Sequence, residues 1–192
     1  MEIYSPSEAK LNFGKLSQKI ISGELFIHPT DTIYGIGCNA TDEVAVNNLR
    51  NAKRQMVRSF SIMVPGKEWI YNNCIITPEA ENWLDKLPGP YTLILNLKNK
   101  KAVAKSVTLD NDTIGVRIPG HWFSVFVEKM GVPIITTSAN VTGENFITTR
   151  EELDETVEMK CDFMIDEGTK KGTPSTIVDL SSEDIEITKR NS

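Results

Sequence analysis

The apolar run Leu25-Phe26-Ile27 breaks off at His28-Pro29 and gives way to Thr30-Asp31-Thr32-Ile33-Tyr34-Gly35-Ile36-Gly37-Cys38. Pro29 has a fixed φ and no N–H, so the run cannot continue through the middle of a sheet ladder. A strand ends here, in a short turn that carries two threonine hydroxyls, a carboxylate and a phenol. Gly35 and Gly37 allow the backbone to approach a ligand closely. A single turn of this kind commonly satisfies only its own backbone. In this chain the arrangement recurs. Val132-Pro133-Ile134-Ile135 runs into Thr136-Thr137-Ser138-Ala139-Asn140, with Thr142-Gly143 beyond, and Gly172-Thr173-Pro174-Ser175-Thr176 leads into Ile177-Val178-Asp179-Leu180. Between them a cation, Arg117, stands in the β-like run Thr113-Ile114-Gly115-Val116-Arg117-Ile118-Pro119. An arginine there is costly unless its guanidinium meets an anion at the strand's edge or end. Together these features describe a convergent site for a small, polar, anionic ligand.

Helical patterns separate the β-like runs. Residues 7–22 put Ala9, Phe13, Leu16 and Ile20 on one face, with Gly23 as a stop. Residues 42–55 repeat the pattern behind Thr41 as a cap, and Thr77-Pro78 opens a third helix carrying Trp83, Leu84 and Leu87. Residues 121–130 suit a fourth, and Thr149-Arg150-Glu151-Glu152 is a capping box that starts a fifth. The β-like runs fall at 24–28, 60–64, 91–97, 113–118, 132–137, 161–165, 175–180 and 184–188. Helices and strands mix without strict alternation, which predicts an α/β (α+β) fold around a twisted mixed sheet. No repeat or low-complexity linker interrupts 192 residues, so a single domain over 1–192 is expected, with the aromatic and Met positions of the helices in its core.

A net charge of −5 argues against a surface broadly devoted to nucleic acid, although Lys53, Arg54 and Arg58 form a local basic group. Lys98, Lys100, Lys101 and Lys105 form another, read as a solvated loop. Cys38, Cys74 and Cys161 are widely spaced with no Cys-x-x-Cys pair, which speaks against a disulfide framework or a zinc site. With only His28 and His121, a histidine-rich metal site or a Ser-His-Asp triad lacks material. No apolar stretch approaches the ~20 residues needed to span a bilayer, and the N-terminus has no signal-peptide pattern. A cytoplasmic protein with no membrane association is expected.

The ordered motifs resemble those of the YrdC-like family, the threonylcarbamoyl-adenylate synthases. His28-Pro29-Thr30-Asp31-Thr32-Ile33-Tyr34-Gly35 is similar to the family's Pro-Thr-Asp/Glu-Thr-x-Tyr-Gly signature, and Pro88-Gly89-Pro90-Tyr91-Thr92 to its Pro-Gly-Pro-x-Thr turn. The run 113–119, Thr137-Ser138-Ala139-Asn140 with Gly143, and Pro174-Ser175-Thr176-Ile177-Val178-Asp179 complete the series in the family's order, covering roughly residues 8–188. The resemblance implies an open sheet flanked by helices around a large concave groove. It implies condensation of L-threonine, bicarbonate and ATP into threonylcarbamoyl-AMP and pyrophosphate, for threonylcarbamoyladenosine modification of tRNA by a protein complex that takes over the product. Such a transfer needs positioning and cationic stabilisation more than a protein nucleophile. A non-catalytic protein of the same fold that binds double-stranded RNA or ribosomes is the alternative.

Carried over by motif, Lys53 and Arg117 become the catalytic residues, Arg117 holding the substrate carboxylate. Thr30, Thr32, Tyr34, Thr136 and Ser175 would join Arg117 around threonine; Thr113, Ser138 and Asn140 would line the nucleotide region. Mg²⁺ would travel with the ATP phosphates, since no dedicated carboxylate cage is visible. The chain departs from the family at its basic loop, usually Lys-x-Arg-Pro followed by Lys or Asn and Pro. Here the stretch reads Lys53-Arg54-Gln55-Met56-Val57-Arg58-Ser59-Phe60. Lys53 matches, Gln55 and Met56 replace Arg and Pro, and Arg54 or Arg58, with Ser59, would have to serve the nucleotide. The extra C-terminal domain of longer family members is not expected.

Overall fold

The computed structural model describes residues 1–143 and 145–190. Its first third comprises β1 (Glu2–Tyr4), α1 (Pro6–Leu11), α2 (Phe13–Ile21), β2 (Phe26–His28), β3 (Gly35–Gly37) and α3 (Glu43–Lys53). Then come β4 (Ser61–Met63), α4 (Lys67–Asn73), α5 (Pro78–Leu84), β5 (Tyr91–Asn96), α6 (Lys105–Thr108) and β6 (Thr113–Arg117). The last third holds α7 (Trp122–Met130), β7 (Ile134–Ile135), β8 (Thr137–Ser138), a 3-10 turn (Arg150–Glu152), α8 (Glu155–Glu158), β9 (Phe163–Ile165), β10 (Thr176–Asp179) and β11 (Glu186–Thr188).

The mixed α/β fold with flanking helices is as expected, and its strands divide between two mixed sheets. One runs β1-β9-β2-β3-β8 and the other β11-β10-β5-β6-β4-β7. The chain passes from one to the other at Thr136, between β7 and β8, and an Asn39–Ile134 bridge stitches them again. Pro29 ends β2 at His28 as its missing N–H requires, and the chain returns antiparallel as β3, with Ile27 opposite Ile36. Gly37 in β3 is obligatory, because a Cβ there would meet the Ile135 carbonyl oxygen at 2.3 Å. Every β-like run of the sequence contains a strand. The three-residue strands β1 and β3 and the helices α4 and α6 carry too little periodicity to be foreseen.

The helix expected over 7–22 breaks at Asn12, whose side-chain amide donates to the Glu8 carbonyl at 2.8 Å and so competes with the helix for that acceptor. The fifth expected helix shrinks to the 3-10 turn and the short α8. Leu93, Leu95, Ile114 and Val116 of the long strands pack with Val46 and Leu49 of α3 in the larger core, and Phe26, Phe123, Phe126 and Phe163 dominate a second. Among the described residues no helix is long and apolar enough to cross a membrane.

Candidate active site

The hydroxyl-rich strand ends converge. β2 leads into Thr30–Thr32, β6 ends at Arg117, β7 leads into Thr136, and β10 begins just after Ser175; all four open on one cavity of about 360 Å³. Its wall contains Lys53, Arg58, Arg117 and Arg190 and, among the described residues, no acidic side chain. In a chain carrying more acidic than basic residues, that local excess of cations selects an anion.

One end of the cavity is built on the sheets. Arg117 closes β6, where it pairs with Met63 of β4, and its side chain is 7% exposed. Its Nη2 donates to Asp31 Oδ1 at 3.0 Å, while Gly120 N–H donates to Asp31 Oδ2 at 2.9 Å. Burial pulls the guanidinium down to about 10, against the favourable pull of Asp31 and with Arg190 adding repulsion. Arg117 Nε is buried without a hydrogen-bond partner among the described residues, an unmet donor that adds to the cost of burying this cation. Thr30 donates its hydroxyl to the Ile33 carbonyl at 2.7 Å, which leaves the Thr32 hydroxyl to donate to Thr30 Oγ1 at 2.9 Å and to present its own lone pairs to the cavity. Ser175 and Thr92 hydroxyls lie 2.7 Å apart, and Arg190 donates to Ser175 through Nη2 at 2.7 Å and to the Ser175 carbonyl at 3.1 Å.

Tyr34 reaches past the cavity. Its hydroxyl accepts from Glu167 N–H at 3.0 Å and lies 2.7 Å from the Gly168 carbonyl and 3.0 Å from Asp166 Oδ1. Burial raises its pKa, so it stays a neutral strut holding the 166–168 segment. That segment continues over the Thr30–Thr32 turn, where Gly172 sits so close that a Cβ would meet the Thr32 carbonyl oxygen at 2.3 Å.

The other end is built on loops. Lys53 ends α3, is 2% exposed, and donates to the carbonyls of Ser138 and, at 2.6 Å, Asn140. Burial lowers its ammonium to about 8. Gln55, Arg58 and Ser59 follow on the rim, with Thr142 Oγ1 donating to Gln55 Oε1 at 3.1 Å.

Of the residues singled out by sequence, Thr30, Thr32, Tyr34, Lys53, Arg58, Ser59, Arg117, Thr136, Ser138, Asn140 and Ser175 all line this cavity. Arg54 and Thr113 do not. Arg54 caps α3 in the left-handed conformation (φ 52°), which turns it into solvent. Thr113 starts β6 opposite Asn96, four residues from Arg117 and so about 13 Å away along the strand. Lining residues that were not nominated include Thr92, Gln55, Thr142 and Arg190. Thr92 lies inside the quoted Pro-Gly-Pro motif; Arg190 lies two residues beyond β11, and only the antiparallel pairing of β11 with β10 brings it back to Ser175.

The family model Sua5/YciO/YrdC, described as telomere recombination, matches residues 18–191. A Methanocaldococcus jannaschii protein provisionally named threonylcarbamoyl-AMP synthase is 39% identical over 173 residues, 88% of this chain and 81% of that protein. The threonylcarbamoyl-AMP synthase of Pyrococcus abyssi is 34% identical over 167 residues, 84% of this chain. The solved structure of P. abyssi Sua5 complexed with L-threonine superposes with a TM-score of 0.83 at 28% identity and 97% coverage of this chain. The chain spans about half the length of these P. abyssi proteins, 48% and 56%.

Proposed function

The chain belongs to the Sua5/YciO/YrdC family, and from that membership we propose that it is a threonylcarbamoyl-AMP synthase acting on L-threonine, bicarbonate and ATP, its product serving threonylcarbamoyladenosine modification of tRNA. The observation that carries the proposal is one cavity in which four cations and a ring of hydroxyls face one another with no carboxylate among the described residues of the wall. The sheet-built end suits an amino acid. Arg117, which lines this end, holds its carboxylate, and the hydroxyls of Thr32 and Ser175 stand ready for its amine and hydroxyl. The loop-built end suits the triphosphate, with Lys53 and Arg58 as its cations.

In this reading the threonine amine is carboxylated to a carbamate. A carbamate oxygen then attacks the α-phosphorus and pyrophosphate leaves. The residues contribute position and charge rather than a covalent intermediate. Among the described residues no group of three or more Asp, Glu, His or Cys side chains is placed to hold a metal ion, so Mg²⁺ would be carried by the ATP phosphates. The test is pyrophosphate release by purified protein. It should require ATP, L-threonine and bicarbonate together, and release that ignores threonine would reject the assignment.

A further inference from the structure

Arg50 stands on α3 one turn before Lys53 and is 3% exposed, yet its guanidinium meets no carboxylate among the described residues. The nearest acid acting on it, Glu43, is engaged with the Ser106 hydroxyl and N–H. All the donors go to main-chain carbonyls. Nε donates to Ser106 O at 2.8 Å, Nη1 to Gln55 O at 2.9 Å and Arg58 O at 3.0 Å, and Nη2 to Ser106 O and, at 3.4 Å, to Val107 O. The guanidinium lies over the Phe60 ring, 4.5 Å from its centroid. A buried cation without a counter-ion is costly, so this carbonyl cage must return something specific.

It returns the shape of one loop. Both hydrogens of Nη1 are spent on the two ends of the 55–58 turn. The turn has no core of its own, because Met56 is 55% and Val57 86% exposed at its tip. Its remaining side-chain tie among the described residues is the Thr142 hydroxyl on Gln55. Gln55, Arg58 and the next residue, Ser59, face the cavity, whereas Arg50 lines none of it. We propose that Arg50 is a positioning residue for the anion-binding end of the cavity, fastening the 55–58 turn from behind so that Gln55 and Arg58 meet the phosphates. The role assigned to the phosphates rests on the function proposed above. An ammonium cannot take this place, since it lacks the planar fork that reaches two carbonyls on one side and two on the other.

The test is Arg50→Lys in the full chain, which keeps the charge and loses the fork. Calorimetric ATP affinity should fall about ten- to hundredfold, the loss of two charged hydrogen bonds. L-Threonine affinity should stay within about twofold, as expected for a site with no shared partner. The KM for ATP should rise while kcat at saturating ATP holds. Without ligand, trypsin should cut after Arg58 faster than in the wild type. In an Arg58→Ala background the further loss from Arg50→Lys should be much smaller, because the two would act through the same loop. Unchanged ATP affinity with a lowered melting temperature, equal losses for ATP and threonine, or full additivity with Arg58→Ala would each overturn the proposal. If the wild type binds no ATP, the proposed function fails, and the cleavage rate alone judges Arg50, an unchanged rate counting against it. Arg50→Gln, whose amide reaches one carbonyl, replaces Arg50→Lys in the same measurements if the latter does not fold.

Discussion

The two ends of the cavity are held by different physics. At the sheet-built end Arg117, Thr92, Thr136 and Ser175 sit in strands or within one residue of them, and the β5–β6, β4–β6 and β10–β5 ladders fix their backbones. At the loop-built end the 54–59 and 138–143 segments have almost no ladder, and two cations of one helix, Arg50 and Lys53, hold them by donating to carbonyls. A sheet end tolerates change in its side chains because its backbone is fixed elsewhere. A loop end held by side chains moves whenever one of those side chains changes. The sheet-built end should therefore behave as a rigid recognition pocket, and the loop-built end as the part free to diverge. The departure of this chain from the family motif falls on the second.

The largest effect should come from the rigid end. Arg117→Ala removes the cation offered to the substrate carboxylate and also leaves Asp31 without its ion pair, bonded among the described residues by Gly120 N–H alone. Threonine affinity should fall by about 100-fold or more, as when one partner of a desolvated charge pair is truncated, and the melting temperature should drop. Pairing the change with Asp31→Asn separates the two consequences. The double variant should regain melting temperature, because no partly buried carboxylate is stranded, and still fail to bind threonine. Recovery of threonine binding in the double variant would mean that Arg117 serves Asp31 alone.

Most of the rigid end was legible in the sequence. Apolar runs that stop at Pro29 or run into Thr136 and Ser175 mark where strands end, and the hydroxyls just beyond those ends open on one cavity. What the sequence hid follows from pairing and from loops. Arg190 reaches Ser175 through a three-residue edge strand, β11, that only long-range register can place. Thr113 was drawn into the site by its motif, although strand length sets it at the far end of β6 from Arg117. Arg54 and Arg58 look equivalent in a basic stretch, and the left-handed cap at Arg54 decides which one faces the cavity. The burial of Arg50 and Lys53 could not be foreseen, because charged residues at a helix end are usually solvated.

A middle-sized effect should appear at the loop-built end as a pH dependence. The Lys53 ammonium is lowered by burial from 10.5 to about 8, so the free protein loses this cation as the pH rises through about 8. ATP phosphates are already fully ionised there, and ATP affinity should fall by up to tenfold per pH unit above about 8, the limit for release of one proton. The apo protein should move the other way. Between about 8 and 10.5 the unfolded chain still holds the proton that the folded Lys53 has released, so the unfolded state binds more protons and stability rises with pH across that window. Threonine affinity measured through Arg117, which keeps its proton until about 10, should stay flat from pH 7 to 9 apart from titration of the ligand's own amine. An ATP affinity equally flat over that range would place Lys53 outside the phosphate site.

The smallest effect, and the one that bears most directly on divergence at the loop-built end, is expected from Gln55→Arg. Gln55 lines the cavity where the resembling family carries a cation, and its Oε1 is occupied by the Thr142 hydroxyl at 3.1 Å. Arginine there would give up that acceptor and add a charge to a rim that already has Arg58. A partly exposed charge contact contributes modestly, so ATP affinity should rise about three- to tenfold at low salt. The gain should shrink as salt is raised toward 1 M, where the screening length falls to about 3 Å. Arg54→Gln should leave ATP affinity unaltered, since that side chain points to solvent from the α3 cap. Adding Met56→Pro, the second family residue, restricts a tip that Arg50 already fastens at both ends, so it should add little to the single change. If Gln55→Arg brings no gain at low salt while Arg58→Ala is costly, the phosphates pass on the Arg58 side of the loop. The lost family cation would then have been replaced by Arg58 three residues on, with Arg50 holding the turn that makes the substitution work.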